Sequence, residues 1–308
     1  MRIFITGGTG LVGTRLIQQL RQRGDTVLAL SRRANAGPQL DLDCELIQGD
    51  PTQPGDWQGR AAECDAIVNL AGEAIVGKRW NDQVKAVLRE SRVKATENCV
   101  AAIARQPRRS DGSGKVLVNA SAIGYYGGRG DEDLDEDSTS GGDFQSGLCV
   151  DWEKAALPAK DAGARLVLIR IGVVMAREGG ALTKMLLPFK LCMGGPIGSG
   201  KQWLSWIHRE DLLGMILLAL DNPNANGPMN GTAPQPVTNK EFGKALGRAL
   251  GRPAFMWTPG FMLKLVMGEG AEMVLTGQKV LPKRAQRWGY SFRFPELDGA
   301  LTDILKKN

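Results

Sequence analysis

This 308-residue chain has no Cys-x-x-Cys pair, no second histidine and no long unbroken apolar run, and each absence removes a class of function. Its five cysteines, Cys44, Cys64, Cys99, Cys149 and Cys192, are odd in number and scattered, which argues against a disulfide framework and a zinc site and fits a reducing compartment. The single histidine, His208, cannot supply both a catalytic triad and a metal site, so no metal is expected. In its Trp-Ile-His-Arg-Glu setting it reads as a packed structural residue. No run approaches the length of a membrane span, and Met1-Arg2-Ile3 enters an apolar stretch at once, leaving no room for a secretory leader. A cytoplasmic location without a membrane partner is expected. The net charge of +6 is spread along the chain rather than massed in an aromatic-interleaved basic stripe. A nucleic-acid partner is therefore not expected, whereas a small-molecule ligand is. The sequence admits a homodimer.

What is present is glycine in a particular place. Residues 3 to 13 read Ile-Phe-Ile-Thr-Gly-Gly-Thr-Gly-Leu-Val-Gly, an apolar strand running into Gly7, Gly10 and Gly13. A dinucleotide pyrophosphate needs a tight turn, close backbone approach and a helix N-terminus aimed at it, and glycine permits all three. Leu16, Ile17 and Leu20 continue from Leu11 and Val12 at helical spacing, Gly24 stops the helix, and Val27-Leu28-Ala29-Leu30 reads as a second buried strand. This is one βαβ unit, and it assigns Gly7, Thr9, Gly10, Leu11, Val12 and Gly13 to a phosphate cradle.

The residues after that second strand select the cofactor. An acid at this place bonds the ribose 2′-hydroxyl of NAD, whereas arginine suits a 2′-phosphate. Here the chain reads Ser31-Arg32-Arg33, with two forked guanidinium donors and no carboxylate. NADP(H) is the expected cofactor.

Further short apolar runs at 46–47, 66–70, 116–118 and 166–169 alternate with helical stretches at 81–104 and 144–162. Such alternation implies right-handed parallel crossovers. The expected fold is α/β: a Rossmann-type doubly wound parallel sheet over residues 1–175, completed by about 204–233, with a smaller substrate-covering C-terminal lobe from 176–203 and 234–308. Helices are predicted at 209–221, 238–250 and 259–275. The run from Asp131 to Asp137 holds six acids in seven residues and reads as a solvated loop.

Several motifs together resemble the extended short-chain dehydrogenase/reductases, in their nucleotide-sugar-epimerase-like group. Beyond Thr6 to Gly13, Gly49-Asp50 resembles the family's acid near adenine. Asn69-Leu70-Ala71-Gly72 resembles its strand-four motif beside the cofactor, and Val118-Asn119-Ala120-Ser121 before Tyr125-Tyr126-Gly127 resembles the strand carrying the active-site serine. Arg170-Ile171-Gly172-Val173 resembles the segment along the nicotinamide, and Trp206 to Leu212 the return from the lobe to the main domain. Leu70-Ala71-Gly72-Glu73 with Lys78-Arg79-Trp80 is similar to the atypical branch called epimerase family protein, of the YfcH type. The resemblance implies that Asp50, Leu70, Ala71, Gly72, Glu73, Arg79, Ser121 and Val173 join the cofactor site.

It also implies a Tyr-x-x-x-Lys pair, in which lysine one helical turn away lowers the tyrosine pKa for proton exchange. That pair is missing. Residues four beyond Tyr125, Tyr126 and Tyr290 are Arg129, Gly130 and Phe294. Matching Glu153 to the acid that ends the family's helix motif puts the tyrosine place at Gln145 and the lysine place at Cys149. Two functions stay open. One is an NADP(H)-dependent oxidoreductase or epimerase-like enzyme, with Ser121 orienting a carbonyl or hydroxyl, Tyr125 or Tyr126 exchanging the proton, and Glu73 and Asp143 behind them. The other is a non-catalytic NADP(H)-binding redox-sensing or regulatory protein.

Overall fold

The computed structural model describes residues 1–33, 43–75, 77–109 and 111–306. Strands β1 (Arg2–Thr6), β2 (Thr26–Ser31), β3 (Glu45–Gln48), β4 (Ala66–Asn69), β5 (Val116–Ala122), β6 (Arg165–Ile171) and β7 (Gly227–Gly231) form a wholly parallel sheet in the order 7-6-5-4-1-2-3. The chain runs outward from β1 to β3 and then returns to place β4 on the other side of β1. That reversal opens a crevice beyond the carboxyl ends of β1 and β4, where open α/β sheets hold ligands.

Alternation along the strands sorts side chains to two cores. Ile3, Ile5, Val27, Val68 and Val118 face helices α1 (Leu11–Gln22) and, later in the chain, Arg209–Asp221, whereas Phe4, Leu28, Ile67 and Leu117 face Trp57–Ala62 and Asp82–Arg105. We number these helices α2 (Trp57–Ala62), α3 (Asp82–Arg105), α4 (Phe144–Ala156), α5 (Gly180–Lys190), α6 (Arg209–Asp221), α7 (Asn239–Leu250), α8 (Gly260–Met267) and α9 (Leu297–Leu305). A third core of Leu182, Phe189, Trp206, Phe242, Leu246 and Leu301 builds the lobe.

Three expectations change. Strand β7, Gly-Pro-Met-Asn-Gly, lacks any strand pattern; it pairs only with β6, and an edge position tolerates Pro228. The helix expected at 144–162 is broken once, at Leu157, because Pro158 has no amide for the ladder, and it resumes over Pro158–Asp161. The helix expected at 259–275 is broken after Met267, where Gly268 takes φ +62°, and resumes as short turns at Glu269–Ala271 and Glu272–Leu275.

The acidic run lies at the surface, with Asp131, Glu132, Asp133 and Asp137 exposed, but its acids find partners. Asp131 accepts a hydrogen bond from Trp203 Nε1 at 2.7 Å, Asp133 pairs with Lys279 at 2.7 Å, and Asp137 pairs with Arg284 at 2.6 Å. Buried Glu136 accepts from the amides of Asn230 and Arg284. The acids clamp the lobe to the sheet, because cations from residues far along the chain meet them.

Candidate cofactor and catalytic site

The crevice begins at Gly7. Its φ is +69°, and a Cβ there would lie 2.6 Å from the carbonyl oxygen of Leu70 after β4, so the first and fourth strand ends meet only because residue 7 lacks a side chain. A Cβ on Gly13 would lie 2.3 Å from Gly7 O, which fixes how closely α1 approaches the loop. Gly13→Ala is expected to destabilise the fold by about 1–3 kcal/mol through overpacking, read from a urea melt. Unchanged stability would remove the close-approach argument.

The N-terminus of α1 has no side-chain cap and no acid in its first turn, so its amides remain for an anion. Thr9 and Gly10 are exposed beside it, with Leu11 and Val12 half-buried. Gly179 and Gly180, ahead of α5, close over Leu11: a Cβ on either would lie 3.4 or 3.0 Å from its methyls. At the end of β2, the Ser31 hydroxyl donates to Arg33 O at 3.0 Å and accepts from Arg33 N at 3.1 Å, shaping a turn that leaves Arg32 and Arg33 exposed.

Asp50 follows β3 and uses Oδ1 to accept from the Thr52 amide and hydroxyl, at 2.8 and 2.7 Å. It borders a surface hollow of about 270 Å³. After β4, Leu70, Ala71 and Gly72 run past the glycine loop, with the Ala71 amide 3.3 Å from Thr6 Oγ1. The Glu73 amide donates to Ser91 Oγ, while its carbonyl accepts from Arg92 at 3.0 Å. Lys78 sits 2.9 Å from the Glu73 carboxylate; that hydrogen bond, with Arg32 among the nearby charges, holds the Glu73 carboxyl below its usual range. Arg79 stands apart, its stem packed on Gly268 of the lobe. Val173 is half-buried, its amide bonded to Ser205 O.

Beneath the crevice, Thr6, Asn69, Thr96, Asn119 and Trp152 form a buried network. Thr6 donates to Asn69 at 2.5 Å, Asn69 donates to Asn119 at 2.6 Å and to Thr96 at 3.0 Å, and Trp152 Nε1 donates to Thr96 at 3.0 Å. Polar groups at the ends of buried strands survive only when each finds a partner. Asparagine at the same register in β4 and β5 was the sequence signal for it.

A second network carries the serine. Ser121 Oγ, at the end of β5, donates to Glu153 Oε1 at 2.7 Å, and Glu153 takes both arms of Arg170, at 2.8 and 2.9 Å. Arg170 donates to the Tyr126 hydroxyl at 3.0 Å, which donates to Asn230 Oδ1 at 2.7 Å. The Arg170 guanidinium also lies 3.5 Å above the Tyr125 ring. Burial opposes the charge on Arg170, but the bonds from Glu153 outweigh it and raise its pKa.

The two tyrosines thus separate. Tyr126 has no exposed surface, and burial pushes its hydroxyl up to about 12 despite Arg170, which speaks against the proton-exchange role expected of it. Tyr125 is half-buried. Helix α4 presents Gln145 and Cys149 to the same turn: a Cβ on Gly124 would lie 3.3 Å from Gln145 and 3.7 Å from Cys149 Sγ. Burial raises the Cys149 thiol to about 12, which keeps it neutral and unreactive near neutrality. Asp143 caps α4, accepting from the Ser146 amide and hydroxyl at 2.8 and 2.9 Å. His208 is packed, with Nδ1 accepting from the Glu210 amide and its ring 3.9 Å from that of Phe294.

The sequence profile of the NAD dependent epimerase/dehydratase family matches residues 3–230, from the glycine loop to the last strand. The chain belongs to that family. A second profile, a domain of unknown function (DUF1731), matches residues 258–304 of this family member's lobe. Epimerase family protein SDR39U1 of Bos taurus is 42% identical over 310 residues, spanning 99% of this chain and 100% of that protein. Among solved structures, human epimerase family protein SDR39U1 (isoform 2) with NADPH is 40% identical with a TM-score of 0.87, and covers 99% of both chains. A nucleoside-diphosphate sugar epimerase from Corynebacterium glutamicum is 32% identical with a TM-score of 0.78, over 99% of this chain and 58% of that one.

Proposed function

We propose that this protein binds NADP(H) across the glycine loop and acts as an oxidoreductase or epimerase-like enzyme on a small carbonyl or hydroxyl compound. The observation that carries the reading is the joined geometry of the uncapped α1 N-terminus, the Gly7–Leu70 contact and the exposed Arg32 and Arg33 at the end of the adjacent strand. The NADPH bound by human SDR39U1, at 40% identity, supports it. The cofactor supplies or accepts the hydride. The uncapped amides of α1 hold the pyrophosphate, and Arg32 with Arg33 holds the 2′-phosphate. Ser121 donates its hydroxyl hydrogen bond to Glu153, which leaves its oxygen lone pairs to accept from a substrate hydroxyl and orient it. Tyr125, half-buried with the Arg170 guanidinium over its ring, exchanges the proton.

A second reading, retention of NADP(H) without turnover in a sensing or regulatory role, is favoured by Gln145 and buried Cys149 standing where a titrating pair belongs. Stereospecifically deuterated NADPH, incubated with a panel of nucleotide sugars and small carbonyls, separates the two. Deuterium is expected in a product. Tight NADPH binding without any label transfer would overturn the enzymatic reading in favour of the second.

A further inference from the structure

Thirteen large apolar side chains stand exposed among the described residues, and ten of them fall within two segments, 187–193 and 255–266. Phe255 and Val266 are 75% and 73% exposed. The segments adjoin. The Met256 amide donates to Gly194 O at 3.1 Å, Ile197 pairs with Thr258 as a short bridge, and a Cβ on Gly195 would strike the Met256 backbone. Helix α8 follows directly, with Phe261, Met262, Leu265 and Val266 all exposed. Together these side chains present on the order of 1,000 Å² of apolar surface, more than a monomer ordinarily leaves in contact with water.

Cations predominate around this face, and the carboxylates next to it, Glu269 and Glu272, follow the end of α8. No Asp or Glu occurs from residue 179 to 209 or from 242 to 268, whereas Lys190, Arg252 and Lys264 lie among the exposed apolar residues. The carboxylate partner of Lys264 comes from outside, Glu272 at 3.1 Å. Apolar and aromatic side chains rimmed by cations match an anionic lipid surface, where each cation contributes about 1 kcal/mol. A second copy fits worse, since two-fold pairing sets the same patch, and the same cations, against itself. No helix among the described residues is long and apolar enough to cross a membrane, so contact would lie in the plane of the interface.

We propose that the face formed by the end of α5, residues 252–258 and α8 docks on anionic lipid. Helix α5 starts at the glycines over Leu11 and ends in this face, so one element runs from the cofactor crevice to the docking surface. This inference is independent of whether the protein turns over substrate.

The test is co-sedimentation of the full chain with vesicles of phosphatidylcholine containing a quarter phosphatidylglycerol, beside pure phosphatidylcholine vesicles, with sedimentation velocity of the protein alone. Binding roughly 30- to 150-fold stronger to the anionic vesicles is expected, from two or three cations near the surface at about 1 kcal/mol each, and it weakens in high salt. The Phe261→Glu/Leu265→Glu variant is expected to lose that binding and keep its melting temperature, since both side chains are exposed. A Val87→Glu control, on α3, is expected to bind like the parent. Protein that stays in the supernatant with anionic vesicles overturns the proposal, as does a double variant that binds unchanged. A dimer of the parent that this variant splits assigns the face to a second copy and overturns it equally.

Discussion

Glu153→Ala is expected to cost about 3–5 kcal/mol of folding stability, because it leaves the Arg170 guanidinium buried and unpaired. Both side chains are at most 10% exposed, so water cannot replace the lost carboxylate. The loss spreads further, since Ser121 loses the acceptor for its hydroxyl and the Arg170 clamp on Tyr126 loosens. A Glu153→Leu/Arg170→Met double variant is expected to recover most of that stability, since replacing both members of a buried pair by apolar residues is often neutral. Urea melts of the parent and the two variants measure both changes. A Glu153→Ala cost below about 1 kcal/mol would mean that the pair does not organise the serine. The double variant separates roles: stable but without the Glu153 acceptor, it is expected to keep NADPH affinity and lose any label transfer that depends on an oriented Ser121.

Arg32→Asp is expected to lower NADPH affinity roughly 10- to 100-fold and to leave NADH affinity within about threefold. Hydrogen bonds to a charged partner contribute about 1.5–3 kcal/mol, and 1.4 kcal/mol is tenfold in affinity. The new carboxylate adds repulsion of the 2′-phosphate, which NADH lacks. Arg32 is exposed, so its loss does not disturb the core and the melting temperature of the free protein is expected to hold. Calorimetric titration of both cofactors into parent and variant reads the ratio. Equal affinity of the parent for NADPH and NADH would show that the turn after β2 does not select the phosphate. Lys78 gives a graded comparison: paired with Glu73, it stands in the electrostatic neighbourhood that Glu73 shares with Arg32.

The parts of the fold that were legible in sequence are those with a local cause. Glycines at 7, 10 and 13, apolar runs at strand spacing and the turn at Ser31 act over a few residues, and they placed β1, α1, β2 and the crevice. Strand β7 was not legible, because its backbone pairs with β6 without any pattern of its own. The acidic run misled for a related reason. Six carboxylates in seven residues look unpartnered until Trp203, Lys279 and Arg284 arrive from distant segments.

At the candidate catalytic end, the sequence determined what is missing, a lysine one turn beyond any tyrosine, and what the glycine loop prefers to hold. Only the tertiary structure divided Tyr125 from Tyr126 and joined Ser121 to Glu153 and Arg170. These contacts link residues 17 to 104 positions apart. Neighbouring tyrosines are chemically identical in a sequence. The fold buries one against Asn230 and Arg170 and leaves the other half-open, and desolvation, which depends on the whole surroundings of a group, raises the Tyr126 hydroxyl.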